Sequence, residues 1–252
     1  MRIDILNKLA RQGGSFTFKD AQKLLGSNTN IVKKLLSRFE NKGLIQRIER
    51  GKYIILPLGA EKGHYTLHEF IIASLLVNPY SISYWSALHF YGLTEQIPNV
   101  VFVQTTAYKK MQEKEVFGIK YKFIRVKKEK FFAVKDIWIE NSKVHIVEKE
   151  KAIVDCLDKP QYCGGIIEVA KALKHGTYKK RKLARFAKQI GNSGVIRRLG
   201  FLSEYVERPI RLPVINVRNY LYLDPTMPHR GEKNAHWRLI VNLDERDLGH
   251  LE

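Results

Sequence analysis

Between Ser15 and Pro57, two helix signals separated by one glycine run into two apolar-rich stretches around another glycine, and this order constrains the chain more than anything else in it. Thr17-x-x-Asp20 is a capping-box start with Asp20 in place of the usual Glu, and Ala21, Leu24 and Leu25 supply the apolar face of a short helix. Gly26 stops it, and Ser27 or Asn28 can cap the next helix. There Ile31, Leu35 and Phe39, widened by Val32 and Leu36, form the core side. Asn30, Lys33, Lys34, Ser37 and Asn41 share the opposite face, spaced i, i+3, i+4, i+7 and i+11. Gly43 ends the helix, and the runs 44–48 and 52–56 flank Glu49-Arg50-Gly51 as a hairpin. An earlier helix over Ile3 to Arg11, with Ile3, Ile5, Leu6 and Leu9 apolar and Gly13-Gly14 after it, completes a three-helix core.

Helix, tight turn, polar-basic helix and hairpin is the order of a winged helix-turn-helix. Its second helix can enter the major groove of DNA while the hairpin reaches phosphates alongside. The residues placed to read bases and nearby phosphates are Asn30, Lys33, Lys34 and Ser37, with Asn28 and Thr29 at the helix start. Arg38, Arg47, Arg50 and Lys52 are placed to hold the backbone.

Charge points the same way. The chain of 252 residues carries 44 Lys and Arg against 25 Asp and Glu, a formal net charge of +19, so the expected partner is a polyanion. Nucleic acid comes first and a membrane surface second. No run approaches the roughly 20 apolar residues of a spanning helix. The Met1-Arg2-Ile3-Asp4 start has no signal-peptide core, so a soluble, cytoplasmic protein is expected. Cys156 and Cys163 fit neither a CxxC redox pair nor a zinc knuckle and are expected to be reduced and structural. Leu251-Glu252 reads as a cloning scar.

Pro57 to Gly63 mixes proline, glycine and charge as linkers do, which places a DNA-binding domain at 1–57, a linker at 58–66 and a second domain at 67–250. Two apolar helices are expected over Leu67 to Val77 and Ser81 to Tyr91, and strands over Val100 to Thr105 and Phe117 to Val126. Val134 to Glu140 and Val144 to Val147 read as a hairpin turning at Asn141-Ser142-Lys143. Ala152, Ile153, Cys156 and Leu157 mark a helix ended by Asp158-Lys159-Pro160, and Gly164-Gly165 opens another over Ile166 to Leu173. From His175 to Ser203 there is no acidic residue. Lys179, Lys180, Arg181, Lys182, Arg185, Lys188, Arg197 and Arg198 crowd two helices there, as a second basic patch or as a solvated face. Tyr220 to Leu223, a loop with Pro225, Pro228 and Gly231, and a strand over Trp237 to Val241 follow. The irregular mixture makes the second domain α+β.

Catalytic patterns are weak. Glu40-Asn41-Lys42 has the spacing of a metal-dependent nuclease triplet, but it closes a helix with no strand before it. Gly26-Ser27 lacks the paired aspartates of a nucleotidyltransferase. His64 and His68 are one helical turn apart without a third ligand, so no metal and no cofactor are expected. Asp155, Glu168 and Lys151 are candidates for a buried polar cluster near Cys156, and Tyr84, Trp85 and Tyr91 are expected in the core rather than on a base-stacking surface.

The winged helix is followed by Ser86-Ala87-Leu88-His89-Phe90-Tyr91-Gly92-Leu93-Thr94, Glu148-Lys149-Glu150-Lys151-Ala152-Ile153-Val154-Asp155, Gly164-Gly165, Leu223-Asp224-Pro225 and Trp237-Arg238-Leu239-Ile240-Val241-Asn242. In this order they resemble the AbiEi-type antitoxins, transcriptional regulators of type IV toxin-antitoxin systems. The resemblance implies a repressor of its own promoter, opposed to a co-encoded nucleotidyltransferase-like toxin that it need not touch. It does not imply catalysis, and it carries no functional residue onto the second domain. A repressor reading an inverted repeat is two-fold or binds as two copies, so a homodimer is one expected form. The alternative function is a metal-dependent nucleic-acid-processing enzyme, nuclease or nucleotidyltransferase, with a winged-helix targeting domain.

Overall fold

The computed structural model describes residues 3–11, 14–56, 67–213 and 216–244. The expected linker at 58–66, with His64, and the closing Leu251-Glu252 lie outside the described residues. The chain is mixed α+β. Its N-terminal region runs α1 (Ile3–Ala10), β1 (Ser15–Thr17), α2 (Phe18–Leu25), α3 (Thr29–Asn41), β2 (Ile45–Glu49) and β3 (Lys52–Ile55). The Thr17 hydroxyl accepts from the Asp20 amide while the Asp20 carboxylate accepts from the Thr17 amide, and left-handed Gly26 ends α2. Asn28, the second of the two candidates, caps α3.

β1 is an addition to the sequence expectation. It pairs antiparallel with β3, so the sheet order is β1-β3-β2. Three residues ahead of a capping box are too few for an alternation to register in the sequence. A second correction concerns α3. Val32, Leu36 and Phe39 are its buried residues, whereas Ile31 is 52% exposed and Leu35 only half-buried. The apolar stripe is therefore rotated toward Val32 and Leu36.

The rest of the chain is built on a six-stranded mixed sheet of order β6-β7-β5-β4-β9-β8. Its elements are α4 (Glu69–Leu76), β4 (Ser81–Ile82), α5 (Tyr84–Phe90), β5 (Val100–Thr105), β6 (Glu113–Val116), β7 (Ile119–Arg125), β8 (Val134–Ile139), β9 (Ser142–Val147), α6 (Lys149–Asp158), α7 (Ile166–His175), α8 (Lys180–Gln189) and α9 (Ser193–Tyr205). A small sheet closes the fold, with β12 (Leu239–Val241) between β10 (Leu221–Tyr222) and β11 (Glu232–Asn234).

Three boundaries differ from expectation. Ser81 and Ile82 form a strand inside the large sheet, bonded to β5 and β9, and the helix begins at Tyr84. Phe117-Gly118 is a turn joining β7 to β6, a charged strand whose Glu-Lys-Glu alternation hides no apolar face. The β8–β9 turn is Glu140-Asn141, since Ile139 pairs directly with Ser142.

The motifs of the second half converge on structural hydrogen bonds. The Asp224 carboxylate accepts from the Ile166 amide at the start of α7, and Asn242 holds the Asp224 backbone through its amide and carbonyl. Gly165 sits at φ +91, where a Cβ would come within 2.9 Å of Asp224 Oδ2, so the glycine lets the carboxylate reach the helix end. The Thr94 hydroxyl donates to Glu168 at 2.7 Å. Ser83 and Lys151 both hold Asp155, and the Lys151–Asp155 pair is fully enclosed. The proposed cluster of Asp155, Glu168 and Lys151 is thus two separate sites. Tyr84 is core, while Trp85 and Tyr91 are half-buried against it. Both cysteines are free and buried, and burial pushes the Cys156 thiol up.

Candidate nucleic-acid interface

The apolar stripe of α3 turns its other side outward. Asn30, Lys33, Lys34, Ser37, Arg38 and Asn41 are all exposed, and so are Arg47 and Arg50 on the hairpin. Among the described residues, Lys33, Lys34, Arg38 and Arg50 make no ion pair or side-chain hydrogen bond, and Arg47 only donates to the Glu49 carbonyl at 3.3 Å. Between α3 and the hairpin lies an open groove of about 720 Å³ lined by Lys33, Ser37, Arg47 and Arg50. Lys19, which the sequence reading passed over, joins this lining. It does so because the Phe18 amide bonds to the Gly51 carbonyl at 2.7 Å, tying the first turn of α2 to the hairpin tip. Such a contact has no local signature in the sequence.

Other candidates have local duties. The Asn28 side-chain oxygen accepts from the Asn30 amide and caps α3, and the Thr29 hydroxyl accepts from Gln22 at 3.2 Å. Lys52 also lines the groove, and its ammonium pairs with Glu49 at 2.7 Å and donates to the Leu76 carbonyl at 3.3 Å, so it ties the hairpin to the end of α4. Lys109 donates to the same carbonyl at 2.8 Å, and Lys114 pairs with Glu49 at 3.0 Å. Cations suit a helix C-terminus, where the last carbonyls carry partial negative charge. Ile48, Ile54 and Leu56 pack into the larger core beside this junction.

Burial would raise the Glu49 carboxyl, but Lys52 and Lys114 outweigh it and hold the group below the usual carboxylate range. A folded-state value lowered in this way stabilises the fold above the unfolded value of about 4.3 and loses that contribution as pH falls through the folded one. Glu49→Gln is accordingly expected to cost less than about 1 kcal/mol at pH 7, the pair being partly exposed, and less still at about pH 3. Urea titrations of both proteins at the two pH values check this.

The second basic patch divides. Lys179, Lys180, Arg181, Arg185 and Lys188 are exposed, with Arg181, Arg185 and Lys188 along one side of α8. Lys182 is drawn aside by Glu148. Arg197 and Arg198 are only 2% and 7% exposed and do not belong to any surface patch. Arg197 donates to the Asn219 and Arg238 carbonyls, and Arg198 to those of Leu223, Leu157 and Tyr222. Both fasten α9 to the small C-terminal sheet.

Glu40-Asn41-Lys42 lies at the end of α3, and the Lys42 amide caps that helix. His68 is the N-cap of α4, its ring accepting from the Phe70 amide. Among the described residues no group of three or more His, Cys, Asp or Glu is placed to hold a metal, and no helix is long and apolar enough to cross a membrane.

Comparison with known proteins places the N-terminal region. Residues 4–55 match the family described as transcriptional regulator, AbiEi antitoxin. This AbiEi match takes in α1 to β3 and thus the whole exposed α3 face. The RV2827C protein from Mycobacterium tuberculosis, known from its crystal structure, is similar in fold over 98% of this chain and 92% of that one, with a TM-score of 0.68 at 13% sequence identity. No curated protein sequence matches the chain.

Proposed function

We propose that the N-terminal region is a winged helix-turn-helix in which α3 enters the major groove and the β2–β3 hairpin is the wing, and that the protein is a sequence-specific DNA-binding repressor. The observation that carries this is the exposed, unpaired row Asn30, Lys33, Lys34 and Ser37, flanked by Arg38, Arg47 and Arg50, within the region that matches AbiEi regulators. A helix of thirteen residues is about 20 Å long and fits a groove about 12 Å wide. In this reading Asn28 and Thr29 fix the helix start, and Lys52 orients the wing.

The proposed role is that of a cytoplasmic antitoxin of a type IV system, repressing the operon it shares with a nucleotidyltransferase-like toxin that it need not contact. It acts as a dimer on double-stranded promoter DNA, without catalysis, cofactor or metal. The domain limits are 1–57 and 67–250, joined by 58–66. The exposed α8 cations, Lys179, Lys180, Arg181, Arg185 and Lys188, would touch flanking phosphates.

The test is binding to DNA upstream of the gene against scrambled DNA of equal length across a salt series. Five cations per copy, Lys33, Lys34, Arg38, Arg47 and Arg50, imply that log affinity falls by about 4.5 per log unit of salt for each bound copy, at roughly 0.9 per phosphate, before any α8 contact is added. Specific binding that outlasts the scrambled control as salt rises is expected. Equal, salt-labile binding to both DNAs would refute the repressor.

A further inference from the structure

The two edges of the six-stranded sheet are unlike. At one, β6 presents Glu113, Lys114 and Glu115, the kind of charged border that keeps strands from pairing. At the other, β8 carries Ile137, Trp138 and Ile139, with Trp138 71% exposed and the isoleucines half-buried against the core. The Glu148 amide donates to the Ala133 carbonyl, and hydrogen-bonded pairs alternate from there along the antiparallel β8–β9 ladder. The inward backbone groups therefore belong to Lys135, Ile137 and Ile139, and those of Val134, Asp136 and Trp138 point away from the sheet. No described strand meets them.

We infer that β8 is the dimer interface, pairing antiparallel with β8 of a second copy to make one continuous sheet. This deepens the proposed dimeric repressor and rests on that reading only for the choice of a second copy as the occupant. The side chains select the register. Because only alternate residues offer outward groups, a two-fold pairing within the strand centres on residue 135, 136, 137 or 138, and centring on Lys135 sets that ammonium against its own copy. Centring on Asp136 sets it against its own copy, and centring on Trp138 sets Asp136 against Glu140 of the second copy. Like charges directly opposite are unfavourable. Centring on Ile137 sets Ile137 against itself, Asp136 against Trp138 and Lys135 against Ile139, with no like charges opposed. It also covers the two half-buried isoleucines and the exposed indole. The charged β6 edge offers no such match.

The experiment uses the full chain without DNA, so that its failure is separate from failure of the repressor reading. Light scattering is expected to give twice the 29.3 kDa chain mass at micromolar concentration. Trp138→Lys, folded by circular dichroism, is expected to be monomeric yet still to bind a single operator half-site. Ile137→Cys is expected to cross-link to its copy on oxidation, since opposed residues at such a position lie about 4.5 Å apart at Cα, within disulfide reach. The native cysteines are buried and would not compete. A wild-type monomer throughout the micromolar range would overturn the inference, as would a dimer that Trp138→Lys leaves intact. Should that variant not fold, the Ile137→Cys cross-link decides alone, and its absence counts against the interface.

Discussion

Replacing Lys33 and Lys34 together with alanine is expected to lower affinity for the operator on the order of 10²- to 10³-fold while leaving the fold unchanged. Each contact of a recognition helix with a base or phosphate carries about 1–3 kcal/mol, and two adjacent ammonium groups are lost. Both lysines are exposed, and no ion pair within the described residues goes with them. Alanine also favours the helix at least as well as lysine. Stability is therefore expected within about 0.5 kcal/mol of the parent. Fluorescence anisotropy across a salt series separates the contributions. A phosphate contact lowers the salt slope by roughly 1, whereas a base contact lowers specificity and leaves the slope alone. An unchanged affinity would remove α3 from the interface altogether.

Arg198→Met is expected to destabilise the protein by about 3–5 kcal/mol, and Arg185→Met, thirteen residues earlier in the same basic segment, by no more than about 0.5 kcal/mol. Arg198 is enclosed between α9 and the C-terminal strands, where its guanidinium serves the carbonyls of Leu223, Leu157 and Tyr222 at 2.9, 3.0 and 3.2 Å. Methionine keeps much of the volume but takes the guanidinium donor away from those three acceptors at a largely buried position, and an unpaired buried polar group is costly. Arg185 lies on the outside of α8. Its loss should appear only in the DNA measurement, as a salt slope smaller by about 1, if α8 touches flanking phosphates. Urea melts of the two variants test the first statement, and equal midpoints would contradict it.

The pair also explains why the basic segment misled. Lys179 to Arg198 is uniform as a string of charges, yet α8 turns Arg181, Arg185 and Lys188 to solvent, whereas α9 turns Arg197 and Arg198 toward carbonyls supplied from residues 157, 219, 222, 223 and 238. Nothing near Arg198 in the chain announces those acceptors. Lys52 is the same case, its partner Leu76 lying across the segment 57–66. Lys19 is the converse, an unremarkable surface lysine made part of the groove by the bond between Phe18 and Gly51.

What the amino-acid sequence determined by itself was local: the Thr17–Asp20 capping box, the Gly26 stop, the polar face of α3, the Gly51 turn and the limits of β5. Each rests on interactions within a few residues, where caps, turns and periodicity act. Only the tertiary structure decided which cations are free, which glycine admits Asp224 to the start of α7, and which edge of the sheet is bare. Those outcomes depend on groups brought together from distant parts of the chain, and a guanidinium is a surface charge or an internal clasp according to whether carbonyls or water surround it.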